Sequence, residues 1–265
     1  MMADKYSITT LADGDHTNTA NYVGGAAPAA NDNMFYQYGA SQPLAGSDQS
    51  GIELDNIEVL PTCFGGAGSA DTYLQLDQGA ANGVIFAGSG VWYLDMGGAG
   101  SASVRVDRTA NASNGNAGLY FKNDTAAITS FEVNGGVVRL VAANITTLVV
   151  RSGATVYIEA ASTVVTVVND GGTVIDYGAA VTTWNQKAGT GTRYGSDVYA
   201  ANIHGGTLYN DGTGTATVVQ YGGLFDSERD NRAKSVTLTF NGGSAKIGPG
   251  VTLTETLNTS VTISA

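Results

Sequence analysis

Few side chains in this sequence are equipped for chemistry, and their spacing decides how far each can go. The densest group is Phe225-Asp226-Ser227-Glu228-Arg229-Asp230-Asn231-Arg232. In an extended strand Asp226, Glu228 and Asp230 share one face, with Arg229 and Arg232 at hand to neutralise them. Paired carboxylates cleave glycosidic bonds when they stand roughly 5–9.5 Å apart and burial raises the pKa of one. A solvated insertion carrying a salt-bridged surface or a subunit contact accounts better for so charged a stretch than catalysis does, and the residue pattern leaves open any role beyond charge. His204 stands at a turn beside Gly205-Gly206 and reads as a turn residue. His16 lies between Asp15 and polar neighbours, with no third ligand at a spacing that zinc needs. Ala87-Gly88-Ser89-Gly90 has glycines around a serine, but neither the spacing nor the following helix of a nucleophile elbow. Cys63 is the single cysteine, so no intrachain disulfide and no all-cysteine metal site forms. The glycines match neither a phosphate-cradling loop nor a calcium-binding nonapeptide array. No catalytic, cofactor-binding or metal-ligating residue is assigned, and no cofactor or enzymatic activity is expected.

Composition points the same way. Glycine makes up 37 of 265 residues while charged residues are only 13%, about half the usual share. β-Branched residues with Gly and Asn between them imply many strands and many tight turns. The net charge of −11 disfavours nucleic acid and anionic membranes, both polyanions, as partners. No apolar run approaches the ~20 residues of a membrane span. The opening Met-Met-Ala-Asp-Lys-Tyr lacks a secretion signal, so synthesis in a cytoplasm is expected.

The elements that must position these side chains are strands. Residues 1–50 read as an extended N-terminal arm or cap rich in Asp, Asn and Gly. From Ile52 to Val59 apolar and polar residues alternate, the period of a half-buried strand, and 51–127 reads as an irregular β region holding the first coils. Residues 128–265 carry a repeat. Glycine turns begin at Gly135, Gly153, Gly171, Gly189, Gly205, Gly222 and Gly242, steps of 18, 18, 18, 16, 17 and 20 residues. A short β stretch precedes and follows each turn. A coil of that size cannot bury its own inward face, but stacked on its neighbours it can. The expected fold is therefore all-β, a single-stranded parallel β-helix or solenoid with ~18-residue coils. Right-handed crossovers are assumed, and a final strand is expected at 260–263. A β-meander or sandwich is the alternative architecture. The 13 tyrosines suit protein interfaces, sugar stacking, or the capping of solenoid corners.

Asn21-Tyr22, Gly24-Gly25-Ala26-Ala27-Pro28 and Asn31-Asp32 before a short strand resemble the opening of many tailed-phage virion proteins. Gly223-Leu224-Phe225-Asp226, followed by Arg229 to Thr237, is similar to a recurring terminal-coil motif of the same group. The chain departs from that pattern at Tyr22, where the group carries Trp. The resemblance implies a structural virion protein, a capsid cement or decoration protein of a bacteriophage that binds the major capsid protein. It also implies a homotrimer on the capsid surface. The alternative is a tail spike or fibre that binds or cleaves a host glycan, which needs aromatics and carboxylates aligned along one face across several coils.

Overall fold

In the computed structural model the described residues are 3–7, 18–37, 48–78, 83–97, 103–109, 116–229 and 232–258, without side chains at 48–53, 76–78 and 124–126. They make an all-β, parallel β-solenoid of about nine turns, the expected fold class. Two compact units divide the chain, Met1–Asn144 and Ile145–Ala265. The strand expected at 260–263 lies outside the described residues.

The second unit holds the regular repeat. Thr155 pairs with Thr173, Thr173 with Thr190, Thr190 with Thr207, Thr207 with Leu224 and Leu224 with Ser244, all in parallel. The steps are 18, 17, 17, 17 and 20 residues, so coil length follows the spacing of the glycine turns. The long step adds its residues between strands Leu224–Ser227 and Lys234–Phe240, within the charged stretch.

Inward residues stack in columns. Val167, Trp184, Ala201, Val218 and Leu238 are in register on successive coils, all buried. Val167, Val218 and Leu238 each contribute about 1.5–3 kcal/mol by leaving water. Trp184 fits because its neighbours are small. Ala201 follows it in the column, and a Cβ added to Gly191 would stand 2.6 Å from the indole.

The glycine corner has a local cause. Gly206 and Gly223 hold φ of +67° and +70°, where a Cβ is strained. An added Cβ would also lie 2.4 Å from Gly189 O and 2.6 Å from Gly206 O, respectively. Buried amides then satisfy the turn carbonyls. Gln186 Nε2 donates to Ala188 O (2.6 Å) and Gly189 O (3.1 Å), and Gln220 Nε2 donates to Gly223 O (3.1 Å) and Ser244 O (2.7 Å).

The first unit uses longer, uneven coils. One sheet joins Asp4–Tyr6, Asn33–Tyr36, Asn56–Val59, Gly83–Phe86, Ser103–Val106 and the end of Leu119–Val133. Its inward column is Met34, Ile57, Val84, Val104 and Phe131, all buried. Two strands of the segment read as an arm or cap, Asp4–Tyr6 and Asn33–Tyr36, are thus sheet members. The Asp32 carboxylate ties that segment together by accepting from Ala3 N and Ala29 N, both at 3.0 Å.

Candidate functional site

The residues singled out in the sequence do not converge. His16 and Asp230 lie outside the described residues. Asp226 is buried, and its Oδ1 accepts from the Glu228 backbone N–H at 3.0 Å, which makes it a turn-forming residue. Glu228 is exposed. Arg229 lies over the Tyr209 ring at 4.1 Å and near Asp211 at 3.6 Å. His204 is exposed at its glycine turn and stacks on Tyr221, with centroids 4.8 Å apart and planes 5° from parallel. Ser89 sits in a loop packed on the 63–66 turn, where a Cβ at Gly90 would lie 1.9 Å from Gly65 O. Cys63 is buried, and burial pushes its thiol up to about 11.

Sequence reasoning missed a polar seam that runs through one inner column of the second unit. Along it stand Ile158, Asp176, Arg193, Asn210, Ser227 and Ile247, one per coil. Asp176 and Arg193 are fully buried and pair at 3.4 Å. Asp176 Oδ1 accepts from the backbone N–H of Gly178 (2.9 Å) and Ala179 (2.7 Å), which shapes the corner. The Arg193 guanidinium lies 4.1 Å over the Tyr199 ring. Burial raises the Asp176 carboxyl above its ordinary range, against the Arg193 charge and the two backbone N–H groups. Further along, Lys234 Nζ donates to Asn210 O and Arg232 Nη2 to Asp211 O, both at 2.6 Å. This network ties coil to coil.

Outward positions form ladders of a different kind. Tyr157, Tyr177 and Tyr194 sit on three successive coils with centroids 6.2 and 5.9 Å apart and planes within 6°. Tyr177 is 43% and Tyr194 40% exposed, so the ladder faces solvent. Backbone register sets Glu159, Tyr177, Tyr194 and Asp211 in one column at this corner. Amide rungs join Asn185 to Asn202 and Asn241 to Asn258, each at 2.9 Å. Among the described residues no group of three or more His, Cys, Asp or Glu is arranged to hold a metal ion. Comparisons with known protein families, with curated proteins and with solved structures each return no match.

Proposed function

We propose that this chain is a structural virion protein, a capsid cement or decoration protein that binds the major capsid protein of a tailed phage as a homotrimer. The observation that carries the reading is where the polar chemistry sits. Asp176 with Arg193, Asn169 with Gln186 and Gln220 with Ser244 O are buried polar contacts that bond coil to coil, which suits a stiff body whose work is done by its outer surface. The phage-like motifs at Asn21 to Asp32 and at Gly223 to Thr237 support the particle assignment. Quantitative mass spectrometry of purified particles tests it. A copy number comparable to that of the major capsid protein is expected, and absence from the particle refutes the reading.

The exposed Tyr177 and Tyr194 rings, with the half-buried Tyr157 stacked on Tyr177 and the half-buried Glu159 in the same column, favour a second reading: a tail spike or fibre that holds a host glycan. A handful of copies per particle, with host polysaccharide binding lost on Tyr177→Ala, would select it.

A further inference from the structure

Among the described residues the exposed tyrosines are Tyr177, Tyr194 and Tyr221. Tyr177 and Tyr194 stand on adjacent coils, with ring centroids 5.9 Å apart and planes 6° from parallel. Their backbones hold them in register. Tyr177 N–H donates to Ile158 O and Tyr194 N–H to Asp176 O, so each residue opens the same corner of its coil. Tyr221 is the most exposed of the three at 53%, but the ring stacked on it is His204. Tyr157 continues the ladder from Tyr177 and is half-buried. Tyr93 and Tyr120 in the first unit stack closer, at 4.4 Å, yet both are half-buried. Full exposure and a stacked tyrosine partner thus coincide at Tyr177 and Tyr194.

Two exposed phenols held side by side are set up for radical coupling. A one-electron oxidant takes an electron from each phenol, and each loses its proton. The two phenoxyl radicals join through the carbons ortho to oxygen. The hydrogens on those carbons then move to the oxygens as both rings regain aromaticity. Hydrogen peroxide, acting through a haem peroxidase, takes up the two electrons and two protons and leaves as two waters. The parallel stack has to open for the new bond, and exposed side chains change rotamer within ps–ns. Meanwhile the sheet keeps neighbouring strands about 4.8 Å apart. A phenol so placed has an effective concentration of about 1 mM or above, on the order of 100 times that of a second chain at about 10 μM.

We propose that Tyr177 and Tyr194 form an oxidative cross-linking site, where a carbon–carbon bond between the phenols ties one coil to the next. Cys63 is the single cysteine, so no disulfide within this sequence makes such a tie. The proposal is independent of the virion reading, since it needs only the coil register and the exposure of the two rings.

The test treats the full chain at about 10 μM, the concentration used above, with hydrogen peroxide and a haem peroxidase. The expected product is a monomer on a denaturing gel, lighter by two hydrogens and carrying the blue fluorescence of a biphenol. Trypsin cuts after Lys187 and Arg193, so a Tyr177–Tyr194 bond joins two peptides that are otherwise separate. A Tyr157–Tyr177 bond would lie within one peptide, because no Lys or Arg stands between them. Tyr177→Phe keeps the ring but removes the phenol, and is expected to lower the fluorescence on the order of 100-fold. Tyr221→Phe removes the most exposed phenol and is expected to leave the fluorescence unchanged. Fluorescence that survives Tyr177→Phe overturns the proposal, as does a bond that maps to other tyrosines. A folded wild-type chain that gives no cross-link overturns it too. So does a product made mainly of linked dimers, or one lost in Tyr221→Phe, because exposure alone would then decide the coupling.

Discussion

Replacing Arg193 with methionine keeps the length of the side chain but leaves the Asp176 carboxylate buried without its cation. Both groups have almost no solvent exposure, so water cannot take over the lost charge. Removing one partner of such a pair costs about 3–5 kcal/mol. The Tyr199 ring also loses a cation, for roughly 0.5–2 kcal/mol more. At roughly 2–4 °C per kcal/mol, the melting temperature falls by about 10 °C or more. Asp176→Asn alone strands the guanidinium instead, though an asparagine Oδ1 can still accept from Gly178 and Ala179. The double variant Asp176→Asn/Arg193→Met removes both charges and keeps the corner hydrogen bonds. It is expected to recover at least about 2 kcal/mol relative to the sum of the single losses. Urea melts of the four proteins, compared at equal slope, give that coupling. A double variant whose loss equals the sum of the singles refutes the reasoning, as does an Arg193→Met loss below about 1 kcal/mol.

Gly206→Ala and Gly153→Ala separate backbone strain from close approach. Both positions have positive φ, but nothing lies within 4 Å of a Cβ at Gly153, whereas Gly189 O would lie 2.4 Å from one at Gly206. Gly153→Ala is expected to cost roughly 1–2 kcal/mol and Gly206→Ala clearly more; equal losses in urea melts would remove the coil-to-coil contact from the account. Cys63, with its thiol pushed up to about 11 and its side chain buried, is expected to stay silent toward an aromatic disulfide reagent near pH 8 and to titrate as one thiol only in denaturant. Rapid reaction of the native chain contradicts this. Asp176 is raised from its ordinary value of 3.8 by burial, so between that value and its folded one the native state holds a proton that the unfolded chain has released. Its contribution is therefore most favourable at low pH and declines as pH rises through that window. Asp176→Asn is expected to flatten that slope in urea melts taken across acid pH, and an unchanged slope assigns it to other groups.

The repeat was legible because the glycine corner is a local demand. Gly206 and Gly223 must be glycine for reasons that involve the neighbouring turn, so the turn spacing prints the coil length on the chain. The steps from Gly205 to Gly222 and Gly242 are the steps by which Thr207 meets Leu224 and Leu224 meets Ser244. The seam was not legible in the same way. In Thr173-Val174-Ile175-Asp176 the alternation set by Val174 does place Asp176 inward, a signal that was available. In Gly191-Thr192-Arg193 no apolar residue sets the phase, and Arg193 reads as an ordinary surface cation. Only after the coils are aligned does an arginine fall next to an aspartate in one column. In the first unit the steps from Met34 to Ile57, Val84, Val104 and Phe131 are 23, 27, 20 and 27 residues, too uneven for a period to appear.

A stack of similar coils has a specificity problem that apolar burial does not solve. Sliding one coil past another by a whole repeat exchanges valine for valine, and the hydrophobic term barely registers the difference. Trp184 changes that, because its indole needs Gly191 across the interior and Ala201 beside it, and no other coil in the column offers both. The Asp176 and Arg193 pair acts in the same sense. A slip of one coil sets the carboxylate or the guanidinium against Ile158 or Asn210 and leaves a buried charge without its partner. The pair thus adds little over a well-packed apolar contact in the correct stack, yet penalises every wrong one. The double variant separates these two effects. If stability returns while the amide spectrum splits into several sets of lines, the ion pair sets coil order; if one set remains, Trp184 and the glycine corner suffice to fix it.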